Sequence, residues 1–388
     1  MQSTFMRFTI CSVLWSLAAT VAVAQDVNSL LVRIKAVGKE GVGNVEAAKA
    51  WKELVAKGPA VIPDVLTGMD DASPVAVNWL RGAVEAIQDK AIAKGQPIPK
   101  DKIEAFLKDT SHAGRSRRLA YECLVRLDPS TPAKLLPKML DDPGAELRRD
   151  AVAARLDYAK TAKFDSQTAR QKFYQDLLAK ARDRDQIDAI CKVLKTDHQV
   201  EIDLVKHLGF VTRWQLVGPF DNVKGVGFHN VYPPEKGVDV TTTYVGKGND
   251  IVRWKEHSVD NKPVTDFNRL AQVDLTEAVG KLKGAVVFAY AAVASDTERP
   301  VELRASSNNA VRIFLNGKEV YFREEYHHGA EMDQHVGKGV LKTGRNEILV
   351  KVCQNEQTES WAQRWDFQLR VCDALGAAVP VLNVTEKK

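Results

Sequence analysis

The chain has 388 residues, and its 55 Lys and Arg residues against 50 Asp and Glu residues give a formal net charge of only +5. A content of 45% apolar and 27% charged residues is that of a globular chain, which excludes disorder throughout, and the length favours two domains of roughly 100 to 200 residues each. So small a basic excess argues against the strong Lys/Arg stripe of nucleic-acid-binding proteins, and we expect no nucleic-acid partner.

Residues 1–24 predict a secretory signal peptide. Arg7 precedes an apolar run from Ile10 to Val23, and this run ends in the small-residue pattern Ala22-Val23-Ala24. The run is too short to span a bilayer, and no later stretch approaches the roughly 20 apolar residues that a spanning helix needs. We therefore expect a protein exported to the periplasm or the cell exterior, with no membrane span. An uncleaved N-terminal anchor is the alternative.

Four cysteines follow the predicted signal peptide, and the sequence predicts that all four are free. Cys123 and Cys191 fall in helical segments as small core residues. Cys353 and Cys372 each end a predicted strand. If those two strands are antiparallel neighbours, the cysteines lie about 20 Å apart at roughly 3.3 Å per residue. A disulfide requires Cα atoms within about 7 Å.

Residues 25–208 predict a helical domain. Apolar residues recur there at helical spacing, as in Ile187, Ile190, Cys191 and Leu194. Ser73 and Asp142 each precede a proline, which predicts two helix N-caps with Pro at the first helical position.

The helical domain contains an internal repeat. Leu66, Leu107, Leu140 and Leu178 take equivalent positions at intervals of 41, 33 and 38 residues, which is typical of stacked helix pairs. The segment from Leu135 to Val152 resembles a HEAT repeat, and this resemblance implies an α-solenoid that binds protein partners. Each repeat has a short apolar helix and a longer amphipathic one; the four are Ile62 to Ile87, Ile103 to Leu127, Leu135 to Tyr158, and Phe173 to Leu194.

Residues 209–388 predict an antiparallel β domain, because Val, Thr and aromatic residues alternate with polar ones between Gly, Asn and Asp turns. The segment from Val311 to Phe322 predicts a hairpin with a type I′ turn at Asn316-Gly317. The predicted register pairs Leu315 with Lys318, Ile313 with Val320, and Val311 with Phe322. Strands are also predicted over Glu347 to Cys353 and Trp365 to Cys372. Their predicted inward-facing residues are Ile348, Val350, Val352, Phe367, Leu369 and Val371.

Several motifs in this half resemble the galactose-binding-like sandwiches that serve as carbohydrate-binding modules in secreted bacterial proteins. The resemblance implies an antiparallel jelly-roll β-sandwich at 209–388 and a carbohydrate ligand. The motifs run in order from Trp214 to Asp221, Tyr232 to Glu235, Val311 to Lys318, Leu341 to Val352, and Trp365 to Arg370.

Asn308 and Asn309 mark a departure from that family. Related sandwiches often carry an acidic pair just before the hairpin, and in some families this pair binds calcium. Amide oxygens bring no charge to a Ca²⁺ site, whose affinity depends on carboxylates. Calcium binding by Asn308 and Asn309 is thus a minor hypothesis, and the alternative is that both simply turn the chain.

A loop after the hairpin carries three imidazoles and two carboxylates within ten residues. These types of side chain could bind Zn²⁺, although their spacing matches no close metal motif. The sequence therefore offers either a Zn²⁺ site or a polar loop, and no cofactor is otherwise expected. The five candidates are His327, His328, Glu331, Asp333 and His335.

Trp361 is the leading candidate for a ligand platform, because it lies in a polar stretch while Trp214 and Trp365 match core motifs. An aromatic face packs against the C–H face of a sugar ring, and polar neighbours bind its hydroxyls. The alternative is that Trp361 folds back onto the edge of the sandwich. Three residues of a neighbouring loop are predicted to complete the site: Tyr326, Arg323 and Glu324.

No nucleophile with a partner histidine and no convincing carboxylate pair is evident in the sequence, so a non-enzymatic binding or scaffold protein is the leading prediction. Residues 209–388 hold 23 basic and 23 acidic groups, which suits a neutral sugar better than a polyanion. One alternative is a hydrolase or lyase that acts on polysaccharide through the loop with the five metal candidates. The other is a purely structural envelope assembly protein.

Overall fold

The structure, a computed structural model, describes residues 26–259 and 266–383. The predicted signal peptide at 1–24 lies outside the described residues. The described chain is helical as far as Leu208 and then consists mainly of antiparallel strands, so the predicted order of an α part and a β part is confirmed. Its contacts divide it into two compact units on either side of the bond from Gln186 to Ile187.

The α part begins with helix α1 over 26–35. Each of the four passages in which a repeat is predicted contains a shorter helix followed by a longer one. The further helices of this part are α2 (Asn44–Ala56), α3 (Ile62–Gly68), α4 (Pro74–Ala93), α5 (Lys100–Lys108), α6 (Gly114–Leu127), α7 (Thr131–Leu135), α8 (Ala145–Thr161), α9 (Gln167–Leu178), α10 (Arg184–His198) and α11 (Leu204–Leu208).

Polar contacts link the longer helices of successive pairs. Gln88 on α4 donates from Nε2 to the carbonyl oxygen of Cys123 on α6 at 2.8 Å. Arg118 on α6 pairs with Asp150 on α8. Arg149 on α8 binds both carboxylate oxygens of Asp185 on α10, at 2.8 and 2.6 Å. Each link joins residues that lie one repeat interval apart in the sequence.

Ser73 and Asp142 were both predicted to cap helices, and only the first prediction is confirmed. The Ser73 hydroxyl accepts a hydrogen bond from the Ala76 amide at 3.2 Å. Helix α8 instead begins after Gly144, and Asp142 forms a buried bidentate ion pair with Arg117 at 2.7 and 2.6 Å. A buried guanidinium needs a paired carboxylate, and this requirement outweighs the local capping preference.

The β part comprises two larger antiparallel sheets and a short hairpin. The seven-stranded sheet has the order β4-β1-β6-β11-β8-β9, with β13 also pairing with β6, and the four-stranded sheet has the order β10-β7-β12-β5. The strands are β1 (Arg213–Asp221), β2 (Thr243–Val245), β3 (Ile251–Arg253), β4 (Lys255–Ser258), β5 (Val273–Asp274), β6 (Ala285–Ser295), β7 (Arg299–Ser307), β8 (Ala310–Leu315), β9 (Lys318–Arg323), β10 (His335–Leu341), β11 (Gly344–Gln354), β12 (Asp366–Cys372) and β13 (Leu382–Asn383).

One apolar core contains residues of both sheets and lies on one face of the seven-stranded sheet. A second apolar core lies on the opposite face of that sheet. Trp214 and Trp365 lie in the first core, as predicted. On the second face, the fully buried Lys351 ammonium donates to the Glu235 carboxylate at 2.9 Å and to the Asn230 carbonyl at 2.7 Å. The residues predicted to face inward on β11 and β12 all belong to the first core: Ile348, Val350, Val352, Phe367, Leu369 and Val371.

The hairpin from β8 to β9 confirms the predicted turn but not the whole register. Asn316 and Gly317 have φ values of 52° and 76°, and Leu315 pairs with Lys318. A bulge at Val320 then shifts the pairing, so that Tyr321 lies opposite Ile313 and Phe322 lies opposite Arg312. The predicted pairs of Ile313 with Val320 and of Val311 with Phe322 are therefore wrong.

The bulge exchanges the faces of two aromatic residues. Phe322, which the predicted register places on the same face as Val311 and Ile313, is 61% exposed, and Tyr321 packs against the first core instead. On neighbouring β10, Gly337 leaves the space that Val320 fills, because a Cβ atom on Gly337 would lie 2.8 Å from Cγ2 of Val320.

All four cysteines in the described residues are free thiols, as predicted. Cys353 lies on β11 and Cys372 on β12, which belong to different sheets. Burial raises the pKa of Cys353 to about 12 and that of Cys372 to about 11. These thiols are therefore protonated and unreactive at neutral pH.

Candidate functional site

The loops at one end of the β part contact one another and carry all of the site residues predicted from the sequence. We call this region the loop rim and define it by residues 266–274, 307–310, 323–335 and 355–366. Asn308 and Asn309 connect its parts: Asn308 Nδ2 donates to the His328 carbonyl and Asn309 Nδ2 to the Arg364 carbonyl, each at 2.8 Å. The Met332 amide also donates to Asn268 Oδ1 at 2.9 Å.

Trp361 is the exposed aromatic residue of the loop rim, with 61% of its surface accessible. It lies in a single 3-10 turn, Ser360–Ala362, that Lys283 anchors by donating from Nζ to the Ala362 carbonyl at 2.6 Å. The imidazole of His327 meets the indole edge to face, with ring centroids 5.6 Å apart. His327 is itself fixed by a 2.6 Å hydrogen bond between Nε2 and Asn355 Oδ1. These contacts fix the position of the indole, and most of its surface remains exposed to solvent.

The three residues predicted to complete a site around Trp361 are engaged in other contacts. The Tyr326 hydroxyl accepts a hydrogen bond from Asn222 Nδ2 at 3.2 Å, and burial raises the pKa of Tyr326 to about 12. Arg323 forms an ion pair with Glu325, and Glu324 lies 3.1 Å from the imidazole of His229. Tyr326 remains near Trp361 through His327, since the Tyr326 and His327 rings are 6.5 Å apart.

The five predicted metal ligands separate into different environments. His327 faces Trp361, whereas the rings of His328 and His335 meet edge to face at 5.9 Å. Asp333 binds two arginines, and Glu331 is exposed to solvent. Within residues 26–259 and 266–383, no group of three or more His, Cys, Asp or Glu side chains could hold a metal ion.

Asp333 connects two strands of the four-stranded sheet, β12 and β7, through charge. Its carboxylate accepts hydrogen bonds from Arg370 on β12 at 2.7 and 2.5 Å and from Arg304 on β7 at 3.1 Å. Burial by itself raises the pKa of Asp333, but the two guanidinium groups outweigh it and hold the pKa below its usual value. Asp333 is therefore ionised and saturated with donors at neutral pH.

His335 is fully buried at the first position of β10. Its Nδ1 lies 3.0 Å from the Tyr321 hydroxyl, a contact that exists because the bulge at Val320 turns Tyr321 inward. Burial first, and then the nearby charges of His328 and Arg323, lower the pKa of His335 to about 4. Its imidazole is therefore neutral at physiological pH.

A polar cavity of about 550 Å³, not predicted from the sequence, lies beside these loops. Asp366 and Asp274 face each other across β12 and β5 and both line this cavity. Burial raises the pKa of Asp366 above its usual value, although Arg364 lies 3.2 Å away, while Asp274 is exposed and accepts from the Glu277 amide at 3.0 Å. Further lining residues include Asp266, Asn268, Arg269, Gln363 and Trp365.

The sequence carries little signal for this cavity. Asp274 and Asp366 come together only through the register of β5 on β12, which no spacing within either strand reveals. The one usable hint is that Gln363 and Arg364 lie two and three residues after Trp361 in the chain.

Comparison with known proteins assigns neither a family nor a function to this chain. No protein-family model matches the sequence, and no curated protein is significantly similar to it. A similar solved structure is an anti-sigma factor domain-containing protein from Clostridium clariflavum, with 15% identity over 46% of this chain and 49% of that chain and a TM-score of 0.25. This chain thus spans about half the length of that protein, and a similarity this low assigns neither a fold nor a function.

The helices in the described ranges were also compared with the requirements of a bilayer. None of them is both long and apolar enough to cross a membrane.

Proposed function

We propose that this protein is an exported, non-enzymatic binding protein in which a HEAT-like α-solenoid precedes a galactose-binding-like jelly roll. The helix pairs and the polar links between their longer helices support the solenoid. Two antiparallel sheets that share one core support the jelly roll. The sequence of residues 1–24 supports export to the periplasm or the cell exterior.

The jelly roll binds a neutral carbohydrate at the loop rim, and the exposure of Trp361 is the observation that carries this proposal. A Trp side chain that is 61% exposed forfeits the free energy of burying a large apolar surface. His327 and the Ser360–Ala362 turn hold the indole in one place, so little conformational freedom is lost when a sugar ring packs on it. The adjacent cavity offers amide, guanidinium and carboxylate groups for the hydroxyls.

The α-solenoid binds a protein partner, which is the usual role of stacked helix pairs. Its exposed surface carries interspersed cations and anions, such as Lys180 with Asp141 and Lys172 with Asp176. A mixed-charge surface of this kind suits a folded protein with complementary charges better than a polyanion.

Affinity electrophoresis of the full chain in gels that contain neutral polysaccharides tests the carbohydrate proposal. We expect retardation by at least one of galactan, glucan, mannan or xylan, and we expect Trp361→Ala to abolish it. Phe322→Ala is the matched control, because Phe322 has the same 61% exposure on β9. If no gel retards the chain, the carbohydrate role fails and the purely structural assembly role remains.

The cavity favours one alternative, a polysaccharide hydrolase. A buried carboxyl group with a raised pKa opposite a solvent-exposed carboxyl group resembles the acid and base pair of glycoside hydrolases, and Asp366 and Asp274 have this arrangement. Release of reducing ends from the same polysaccharides, lost in Asp366→Asn and retained in Asp296→Asn, would establish it. Asp296 is an exposed aspartate elsewhere in the β part. Equal activity in both variants would exclude this cavity as the active site.

A further inference from the structure

A cluster of aromatic side chains lies at the surface of the α part, on helices α8 and α9. Tyr158, near the end of α8, is 53% exposed. Its ring lies 6.2 Å from that of Phe173 on α9, and Phe164 in the connecting segment meets Phe173 edge to face at 5.3 Å. Phe164 and Phe173 are only partly buried. We call these three residues together with Arg155 the aromatic patch, and all four belong to the first compact unit.

Arg155 is the cation of the aromatic patch. Its Cζ lies 5.2 Å from the centre of the Tyr158 ring and 4.7 Å from the centre of the Phe173 ring. A cation–π contact holds a guanidinium in place without using its N–H groups as a carboxylate does. Among the described residues no carboxylate forms an ion pair with Arg155, whereas Arg149 on the same helix pairs with Asp185. Arg155 is therefore a positioned cation that lacks an anionic partner.

A recess of about 480 Å³ borders the aromatic patch at Phe164. Lys160 and Arg170 also line it, and none of the described residues in its lining is acidic. The segment from Arg155 to Phe173 holds five basic and two acidic residues, an excess of three positive charges against an excess of five for the whole chain. The aromatic patch and its recess thus combine apolar rings with a local excess of positive charge.

We propose that the aromatic patch binds an acidic segment of a protein partner, in which Asp or Glu side chains alternate with apolar ones. A carboxylate of that segment pairs with the Arg155 guanidinium, and a neighbouring apolar side chain packs against Tyr158 and Phe164. Tyr and Arg are among the residue types that contribute most to binding at protein interfaces, and complementary charge selects the partner. The inference rests on the proposed binding of a protein by the α-solenoid and adds the place of binding and the charge of the partner.

The contacts of the other cations favour such a segment over a polyanion. Lys160 already donates to Asp157 at 2.7 Å, and Lys172 donates to both carboxylate oxygens of Asp176 at 2.8 Å. A polyanion needs a row of available cations, whereas a segment with spaced carboxylates needs one cation beside an apolar surface. The exposed ring of Tyr158 supplies that apolar surface.

Selection of phage-displayed random peptides on the full chain tests the proposal. We expect the enriched peptides to combine Asp or Glu with Phe, Leu or Trp, and we expect their synthetic copies to bind in fluorescence anisotropy. Arg155→Ala and Tyr158→Ala should each raise the Kd of these peptides at least about tenfold. Arg126→Ala is the matched control, because Arg126 is an exposed arginine of α6 that is already ion-paired with Asp89, and its Kd should stay within about twofold of the wild-type value.

Two more controls locate the binding surface. Circular dichroism shows whether each variant is folded, and Trp361→Ala should leave the peptide affinity unchanged, because Trp361 belongs to the loop rim. If the enriched peptides bind Arg155→Ala as tightly as the wild-type chain, or lose affinity in Trp361→Ala, the aromatic patch is not their site, while binding of a protein elsewhere on the chain stands. Enrichment of peptides with acidic but no apolar residues also overturns the proposal. If no peptide is enriched, the proposal fails together with the proposed protein-binding role.

Discussion

Asp333→Ala is the substitution that most sharply separates a structural role from a ligand role in the loop rim. Asp333 and Glu331 are both among the metal ligands predicted from the sequence. In the structure the Asp333 carboxylate neutralises Arg370, which is only 3% exposed, and also binds Arg304. Removing it leaves a buried guanidinium without a counter-charge, which is among the most destabilising changes that a folded protein can undergo.

The loss of stability in Asp333→Ala depends on the hydrogen bonds and ion pairs that Arg370 and Arg304 keep. Breaking a buried ion pair by deleting one partner costs about 3 to 5 kcal/mol. Arg370 keeps its hydrogen bonds to the carbonyls of Leu208 and Gly376, at 3.1 and 3.0 Å, and Arg304 keeps its ion pair with Glu302 at 2.7 Å. We therefore expect the lower end of the range, a loss of about 3 kcal/mol in the free energy of unfolding of the β part.

Urea unfolding of the full chain, followed by fluorescence of its tryptophans and by circular dichroism, measures this loss. Glu331→Ala is the control, because it removes an exposed carboxylate two residues away and should change stability by less than about 0.5 kcal/mol. If the stability losses of Asp333→Ala and Glu331→Ala agree within about 1 kcal/mol, the ion pairs of Asp333 do not stabilise the fold.

The same carboxylate predicts a pH dependence. The pKa of Asp333 is lower in the folded state than in the unfolded chain, so its stabilising contribution is complete above the unfolded pKa of about 4 and is lost as the pH falls through the folded pKa. The stability difference between the wild-type chain and Asp333→Ala should therefore be constant from pH 7 to pH 5 and narrow below about pH 4. A difference that widened at low pH would contradict the direction of this pKa shift.

Three further predictions concern the β part. Lys351→Met leaves the Glu235 carboxylate buried without its cation and should cost about 3 to 5 kcal/mol in urea unfolding, and adding Glu235→Gln should restore part of the loss. Phe322→Ser should cost less than about 0.5 kcal/mol and Ile313→Ala about 2 to 5 kcal/mol, whereas the register predicted from the sequence would make both costly. Asp366→Asn should stabilise the chain at pH 7. The pKa of Asp366 is higher in the folded state than in the unfolded chain, so ionisation of Asp366 destabilises the native state as the pH rises through the unfolded and then the folded pKa. The stability gained by Asp366→Asn should therefore vanish below about pH 4.

Each of these three has a contrary result. Equal stability of Lys351→Met and the wild-type chain would show that the buried ammonium is dispensable. A large cost for Phe322→Ser would restore the register without the bulge. A destabilised Asp366→Asn at pH 7 would mean that Asp366 is ionised and favourably paired in the folded state.

The helix pairs could be predicted from the sequence because their apolar spacing is set by burial within each pair. Asp142 shows the limit of such reasoning. An aspartate before a proline is a good N-cap in isolation, but Arg117, 25 residues earlier, needs its charge in the interior. Local preferences of about 1 kcal/mol for a cap yield to buried ion pairs worth several times more when broken.

The hairpin shows a second limit. Asn316-Gly317 fixed the turn and the first pair, but the bulge at Val320 depends on the space that Gly337 leaves on a strand that is not part of the hairpin. A shift of one residue reverses every later side chain, so a correct turn does not ensure a correct core. The sequence of the hairpin alone therefore does not predict that Tyr321 faces inward or that it contacts His335.

That Trp361 is a candidate for exposure could be predicted from its polar neighbours, while the alternative that it folds back onto the edge of the sandwich stayed open. The separation of His327 from His328 and His335 could not be predicted. His327 has a left-handed backbone with φ of 55°, which a single sequence does not reveal, and its ring faces Trp361 while that of His328 meets His335. Asp274 and Asp366 pair only across strands, so their proximity required the sheet register.

A calorimetric titration with the neutral polysaccharide that retards the chain most strongly tests most directly whether Trp361 makes the loop rim a carbohydrate-binding surface. We expect Trp361→Ala to raise the Kd at least about tenfold, because a central aromatic contact is removed, and Phe322→Ala to stay within about twofold of the wild-type value. Unchanged affinity in Trp361→Ala, or an equal loss in both variants, would contradict it.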